Sequence, residues 1–328
     1  MKISLQSFLI IIVCFTGILP GAAQKVDYSV AYVPQEYGAD LMKITSDADY
    51  VCMPTVKRNS NGVNWLTNHI LSVAPSGKEF AYLSLRNNLT NIFIKDISRQ
   101  SAARQRTNRT AVVDFSYSPD GEKICFTEQV GKTNRLFITS ATSGYVCRQI
   151  TTNNLDYAPI YTMDMKGILF CRLERKNASI WEYDVDKNYL SCLTSGQNPS
   201  PSANGETIYL ARTNTYGMGE IWRVNINTGL EECILSSENH SFYSPLLSPD
   251  GSKLLLVGSS AIPVSKSLYW NTDLYVCNTD GTGLQQLTYH AADDLSPSWS
   301  GDGQYIYFIS QRGSATGVAN VWRLTYKK

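Results

Sequence analysis

The chain has 328 residues, with 29 Lys and Arg against 28 Asp and Glu, 43% apolar, 11% aromatic and 17% charged. It is too apolar for intrinsic disorder and too close to neutral for a nucleic-acid-binding surface. Twenty Tyr, 22 Gly and 12 Pro beside so few charges point to short strands joined by turns, an all-β fold.

In chain order, Met1-Lys2, an apolar run from Phe8 to Leu19 and Pro20-Gly21-Ala22-Ala23 form the charged, apolar and small-residue sequence of a secretory signal peptide, with cleavage expected after Ala23. The run is too short to span about 30 Å of hydrocarbon, and no later stretch approaches that length. A periplasmic or secreted protein with no membrane span is expected. Seven Cys remain after cleavage, Cys52, Cys125, Cys147, Cys171, Cys192, Cys233 and Cys277. None shows C-x-x-C spacing, so most are expected as small buried hydrophobes, Cys125 and Cys171 foremost, with one or two disulfides left open.

Comparing the sequence with itself at a period of about 44 residues reveals a repeat. Its first mark is a turn: Ala74-Pro75-Ser76-Gly77, Ser118-Pro119-Asp120-Gly121, Thr162-Met163-Asp164-Met165, Ser202-Ala203-Asn204-Gly205, Ser248-Pro249-Asp250-Gly251 and Ser300-Gly301-Asp302-Gly303. Pro presets φ, Asp or Asn bonds nearby backbone and Gly takes the left-handed position; only the third copy is degenerate. A short apolar strand follows each turn, then an aliphatic-aromatic pair: Ile92-Phe93, Leu136-Phe137, Ile180-Trp181, Ile221-Trp222, Leu274-Tyr275 and Val321-Trp322. A fourth-strand signature such as Leu193-Thr194 or Leu287-Thr288 occurs only five times. The missing copy is Leu41-Met42-Lys43-Ile44-Thr45, so the repeats complete only if the N-terminal segment joins the last one. This arithmetic predicts a six-bladed β-propeller of four-stranded antiparallel blades, closed by an N-terminal strand near 41–45. Residues 24–328 then form one domain, with repeats starting near 69, 112, 156, 198, 241 and 294.

Ser248-Pro249-Asp250-Gly251, Asp273-Leu274-Tyr275-Val276, Thr279-Asp280-Gly281, Leu287-Thr288 and Ser296-Pro297-Ser298-Trp299-Ser300 resemble the WD40-like repeat of TolB-type propellers. The resemblance implies the same ring and three settings for it: the periplasmic TolB protein of the Tol-Pal envelope system, the gating propellers of prolyl-oligopeptidase-like peptidases, and oligogalacturonate lyases.

No G-x-S-x-G elbow, H-E-x-x-H, Walker loop or strand-linked G-x-G-x-x-G occurs. Candidate chemistry therefore rests on scattered residues. His69, His240 and His290 each precede the first strand of blades 1, 5 and 6, neighbours in a closed ring, and could hold a divalent metal from one side of the pore. Arg86 and Arg312 each follow their turn Gly by nine residues on the same rim, with Arg172 and Arg212 in similar places, and suit a carboxylate; the lyase resemblance makes that ligand a uronate. Two insertions fall on this face: the connector from Ser46 to Asn68, and a loop from Gly258 to Asn271 whose Tyr269 and Trp270 could anchor a partner or merely plug the pore, with binding favoured. The turn residues Asp120 and Asp250 lie on the opposite face and read as structural. The sequence thus favours a monomeric, non-enzymatic exported scaffold that needs no cofactor and binds a protein or glycan. One alternative is a metal-dependent polysaccharide lyase in which Arg86 or Arg312 neutralises the substrate carboxylate; another is a Tol-Pal component.

Overall fold

A computed structural model describes residues 40–54, 56–58, 64–66, 69–98, 101–143, 146–152, 154–174, 177–264 and 267–326, with backbone alone for 56–58, 64–66, 261–264 and 267–269. Its strands form six four-stranded antiparallel sheets and one two-stranded hairpin. From pore to rim, blade 1 holds Leu71–Val73, Glu79–Arg86, Leu89–Asp96 and Arg104–Gln105, and blade 2 holds Val112–Tyr117, Lys123–Val130, Thr133–Ser140 and Cys147–Gln149. Blade 3 holds Asp156–Tyr161, Gly167–Glu174, Asn177–Asp184 and Tyr189–Ser195; blade 4 holds Gln197–Pro201, Thr207–Thr213, Gly219–Asn225 and Glu231–Leu235. Blade 5 holds His240–Leu247, Lys253–Val264, Ser267–Asn278 and Gln285–Gln286. Blade 6 takes Asp294–Trp299, Tyr305–Ser310 and Asn320–Thr325 from one end of the sequence and Met42–Lys43 from the other.

That last pairing closes the ring. Met42 faces Arg323 and Lys43 faces Trp322, and the Ile44 N–H donates to the Val321 carbonyl at 2.8 Å. The buried Thr45 hydroxyl accepts the Val321 N–H at 2.8 Å and donates to Asn320 Oδ1 at 2.9 Å. Where blade 6 meets blade 1, Gly301 stands where three other copies carry Pro. A Cβ there would lie 2.2 Å from the Pro75 carbonyl oxygen, so the last and first blades approach too closely for a side chain.

Short polar side chains pin the junctions between blades, that of blades 6 and 1 included, by satisfying backbone donors that the innermost strands leave free. Ser298 Oγ accepts the Val73 N–H at 3.0 Å, Ser200 Oγ the Leu247 N–H at 3.0 Å and Ser296 Oγ the Ile70 N–H at 2.8 Å. Between blades 2 and 3 the pin is a carboxylate: Asp114 Oδ2 accepts the Ala158 N–H at 2.8 Å. Asp114 is fully buried, and burial pushes its pKa up to about 7 against the pull of that N–H. Between about pH 4 and 7 the folded chain therefore keeps a proton that the unfolded chain releases, and stability falls as pH rises through that window. Asp114→Asn keeps an acceptor and removes the charge, so it should gain roughly 2 kcal/mol at pH 8 and almost nothing at pH 4. Denaturant melts at the two pH values measure the difference; equal gains at both would show that the pin carries no buried charge.

The turns explain themselves locally. In blade 5 the Lys253 N–H donates to Ser248 Oγ at 3.0 Å, the Ser252 N–H to Asp250 Oδ1 at 3.1 Å, and Gly251 sits at φ 70°. The degenerate blade 3 turn keeps these bonds, with the Lys166 N–H on Asp164 Oδ1 at 3.1 Å, but places Met165 at φ 61°. A left-handed non-Gly residue costs about 1–2 kcal/mol. Met165→Gly should therefore stabilise the ring by about 1 kcal/mol net of added chain entropy, a rise of a few degrees by calorimetry; a lowered melt would show that the Met165 side chain contributes packing there.

Candidate functional site

The first strands line the pore. In blades 3 to 6 each breaks register at an X-Pro pair, Ala158-Pro159, Asn198-Pro199, Ser244-Pro245 and Ser296-Pro297, with the first residue at φ 50° or 51°. The bulges of blades 3 to 5 line a cavity of about 40 Å³ together with His69 and Phe115, room for little beyond water. A larger hollow of about 360 Å³ lies on the outside of blade 6, lined by Leu41, Tyr305 and Arg323, and holds none of the candidate residues.

The three histidines do not meet. His69 stands in the channel wall bonded to the Pro297 carbonyl, and its enclosure pulls the imidazole down to a pKa of about 4. His240 stacks on Phe242 at 5.9 Å and turns an edge to Tyr275 at 6.3 Å. His290 is buried, its Nδ1 accepting the Ala292 N–H at 2.9 Å. No group of three or more His, Cys, Asp or Glu among the described residues could hold a metal ion. The expected three-histidine centre is thus corrected: a place ahead of a first strand fixes the face of the ring, not the direction of the side chain.

The rim arginines are mostly engaged within the protein. Arg172 lies 4.4 Å from the Trp181 ring centre, Arg212 4.6 Å from Trp222, Arg109 4.6 Å from Phe137 and Arg86 4.2 Å from Phe93. The rings belong to the aliphatic-aromatic pairs, so the repeat builds a cation–π rung in several blades. Most of these cations also meet a carboxylate: Arg172 meets Asp156 at 2.7 Å and Arg212 meets Glu231 at 2.7 Å. Arg312, only 2% exposed, meets the fully buried Asp294 and lies 5.0 Å from Phe308. Its expected role as an exposed anion receptor is corrected. Asp294 and the neighbouring Asp273 are both pushed up, chiefly by burial, and Asp273 also by Asp294. Asp273 is held by the Asn271 and Gln286 amides and the Thr288 hydroxyl.

Arg86 differs. It bonds Ser84 Oγ at 3.1 Å and meets no carboxylate among the described residues. Around it the Asn87-Asn88 hairpin tip and the connector expose Tyr50 at 57%, Leu85 at 50% and Leu89 at 39%, with the Leu85 N–H on the Tyr50 carbonyl at 3.1 Å. Sequence reasoning named Arg86 and missed its apolar surround.

The segment read as a loop from Gly258 to Asn271 is an extension of the central blade 5 hairpin, with Ile262 opposite Tyr269 and Ala261 opposite Trp270. Trp270 is 6% exposed, which corrects its reading as an exposed anchor; the Tyr269 side chain lies outside the described residues. From the connector, Val51 bridges Ser84 of blade 1 and Ala319 beside blade 6. The chain then forms the hairpin Val56–Arg58 with Asn64–Leu66, whose second strand passes beside His240–Leu247. Both insertions therefore reach blade 5.

The family model described as the TolB beta propeller domain matches residues 53–238. That is more than half of the chain, which belongs to this family. An uncharacterized protein of Agrobacterium fabrum is 26% identical over 205 residues, covering 60% of this chain and 69% of that protein. The Tol-Pal system protein TolB of Francisella tularensis subsp. tularensis is 26% identical over 189 residues, 54% of this chain but only 43% of TolB, so the chain spans less than half of that relative's length. Among solved structures, a putative TolB from Agrobacterium tumefaciens superposes with a TM-score of 0.59 at 20% identity, covering 80% of this chain and 93% of that one. An oligogalacturonate lyase from Vibrio parahaemolyticus gives 0.60 at 12% identity, covering 90% and 97%. At such identities the likeness is one of fold.

Proposed function

We propose that this chain is an exported, periplasmic scaffold that binds a protein or glycan partner on the face where the 46–68 connector and the blade 5 hairpin emerge, without a catalytic step of its own. The observation that carries this reading is the exposed apolar group of Tyr50, Leu85 and Leu89 around Arg86, in which Tyr and Arg are the residue types enriched at interface anchors. Arg172, Arg212 and Arg312 are already matched by carboxylates. Family membership favours a protein of the cell envelope as the first partner to try, and the Tol-Pal system is one setting for it. No helix among the described residues is long and apolar enough to cross a membrane.

Binding and catalysis separate in one experiment. Incubated with Mn²⁺ and oligogalacturonate, the purified protein should release no unsaturated product, because its three imidazoles sit in different surroundings. Tyr50→Ala with Leu85→Ala should leave the melting curve in place while weakening a partner recovered by cross-linking in cells by about 2–4 kcal/mol. Lyase turnover, or a partner indifferent to both substitutions, would overturn the reading.

A further inference from the structure

On the connector-bearing side five arginines lie over aromatic rings, and four of them also meet a carboxylate: Arg109 meets Glu128 at 3.5 Å, Arg172 meets Asp156 at 2.7 Å, Arg212 meets Glu231 at 2.7 Å, and Arg312 meets Asp294. The fifth is Arg86. Its guanidinium lies 4.2 Å from the Phe93 ring centre and 5.7 Å from that of Tyr50, and its polar neighbours are the Ser84 and Tyr82 hydroxyls, both neutral. Among the described residues it is the one rim arginine of the five without an anion.

The repeat shows how that gap arises. Asp156 and Asp294 each stand nine residues ahead of the left-handed residue of their turn, Met165 or Gly303; the same count from Gly77 in blade 1 reaches Asn68. Glu128 follows Gly121 by seven residues, and the same step from Gly77 gives Ser84, the residue that Arg86 bonds. Arg104 opposes the residue after Phe93 as Glu232 opposes the residue after Trp222, which puts Ala103 where blade 4 has Glu231. Every place from which another blade supplies its arginine with a carboxylate is therefore neutral in blade 1. The connector's own Asp49 is engaged elsewhere, accepting from Lys95 Nζ at 2.6 Å and from the Ser46 N–H at 2.8 Å.

A guanidinium held between two rings loses little freedom when it takes up a carboxylate, and its fork matches both carboxylate oxygens. Leu89 stands opposite Arg86 in the hairpin ladder, and with Tyr50 and Leu85 it gives the surround an apolar character that suits the side chains of a polypeptide better than the hydroxyls of a sugar. We propose that Arg86 receives a side-chain carboxylate of a protein partner, an Asp or Glu flanked by apolar residues that pack on Tyr50, Leu85 and Leu89. This rests on the reading that partners dock on the connector-bearing face, and adds what they must bring to it: the anion that blade 1 lacks.

Panning a phage-displayed library of short random peptides on the purified full chain tests this. The enriched peptides should carry an Asp or Glu among apolar residues. Changing that residue to Asn or Gln should weaken a synthetic copy by about ten- to a hundredfold, and binding of the original should fall as salt rises. Arg86→Gln should bring the same loss, and on that variant the acidic peptide and its amide twin should bind alike. Should Arg86→Gln lower the melting curve, the comparison of acid and amide on the unaltered chain still decides. Peptides lost with Tyr50→Ala and Leu85→Ala but bound equally by Arg86→Gln would keep the docking face and overturn the carboxylate; peptides indifferent to all three substitutions would overturn both. Enrichment of peptides without an acidic residue, or capture of trigalacturonate in place of any peptide, would likewise overturn the proposal.

Discussion

Removing the chain through Thr45 is expected to lower the melting temperature by on the order of 10 °C, the largest loss from any single segment. The truncation opens the edge of Asn320–Thr325 and strips partners from the Val321 N–H and carbonyl and from Asn320 Oδ1, leaving the Asn320 amide nitrogen on Asp47 at 2.9 Å. Leu41 and Ile44, which pack against the cores of the adjoining blades, go with it. Each buried group left unpaired costs about 1–3 kcal/mol, and a ring interrupted at one seam loses cooperativity around its whole circumference. Thr45→Val is the finer version: the same shape without its two hydrogen bonds should cost about 2 kcal/mol. Calorimetry of the two variants checks both; an unchanged melt after truncation would mean that the ring is closed by other contacts.

Arg312→Ala is expected to destabilise the fold by about 3–5 kcal/mol, because it leaves Asp294 buried without its cation. Asp294 is already pushed up by burial, and losing Arg312 pushes it further. The variant's folded state then holds a proton at pH values where the unfolded chain has released it, so its deficit should shrink as pH falls toward 4 and grow toward pH 8. Arg312→Met with Asp294→Asn should recover much of the loss. Were Arg312 instead a ligand-binding residue on an open rim, Arg312→Ala would leave the melting curve unmoved at both pH values.

What the sequence discloses and what it hides divides along the range of the interactions. Ser248, Asp250 and Gly251 make their turn with partners within five residues, so the repeat and its count can be read directly, and the surplus fourth strand at 41–45 follows from counting. The Arg312–Asp294 pair spans 18 residues, and the rungs on Phe93, Phe137, Trp181 and Trp222 join second-strand ends or connectors to third strands. A guanidinium looks the same in sequence whether it awaits a ligand or lies over a ring, and that ambiguity made Arg312 look free. The stretch from Gly258 to Asn271 reads as a loop because Pro263 and the Ser265-Lys266 pair interrupt its apolar pattern, yet the ladder runs through Pro263 opposite Leu268. The group of Tyr50, Leu85 and Leu89 escapes detection for the opposite reason: apolar residues at strand ends imply burial until the ring shows which ends project into solvent.

The central claim, that partners dock on the connector-bearing face, is tested most directly by photo-cross-linking in living cells from single positions on the two faces. A benzophenone side chain at Tyr50 or Leu89 should yield a discrete adduct, whereas the same group at Glu122 or Ser252, beside the tight turns, should yield none. Adducts from Glu122 and Ser252 with none from Tyr50 and Leu89 would place the binding surface on the opposite side of the ring and contradict the account.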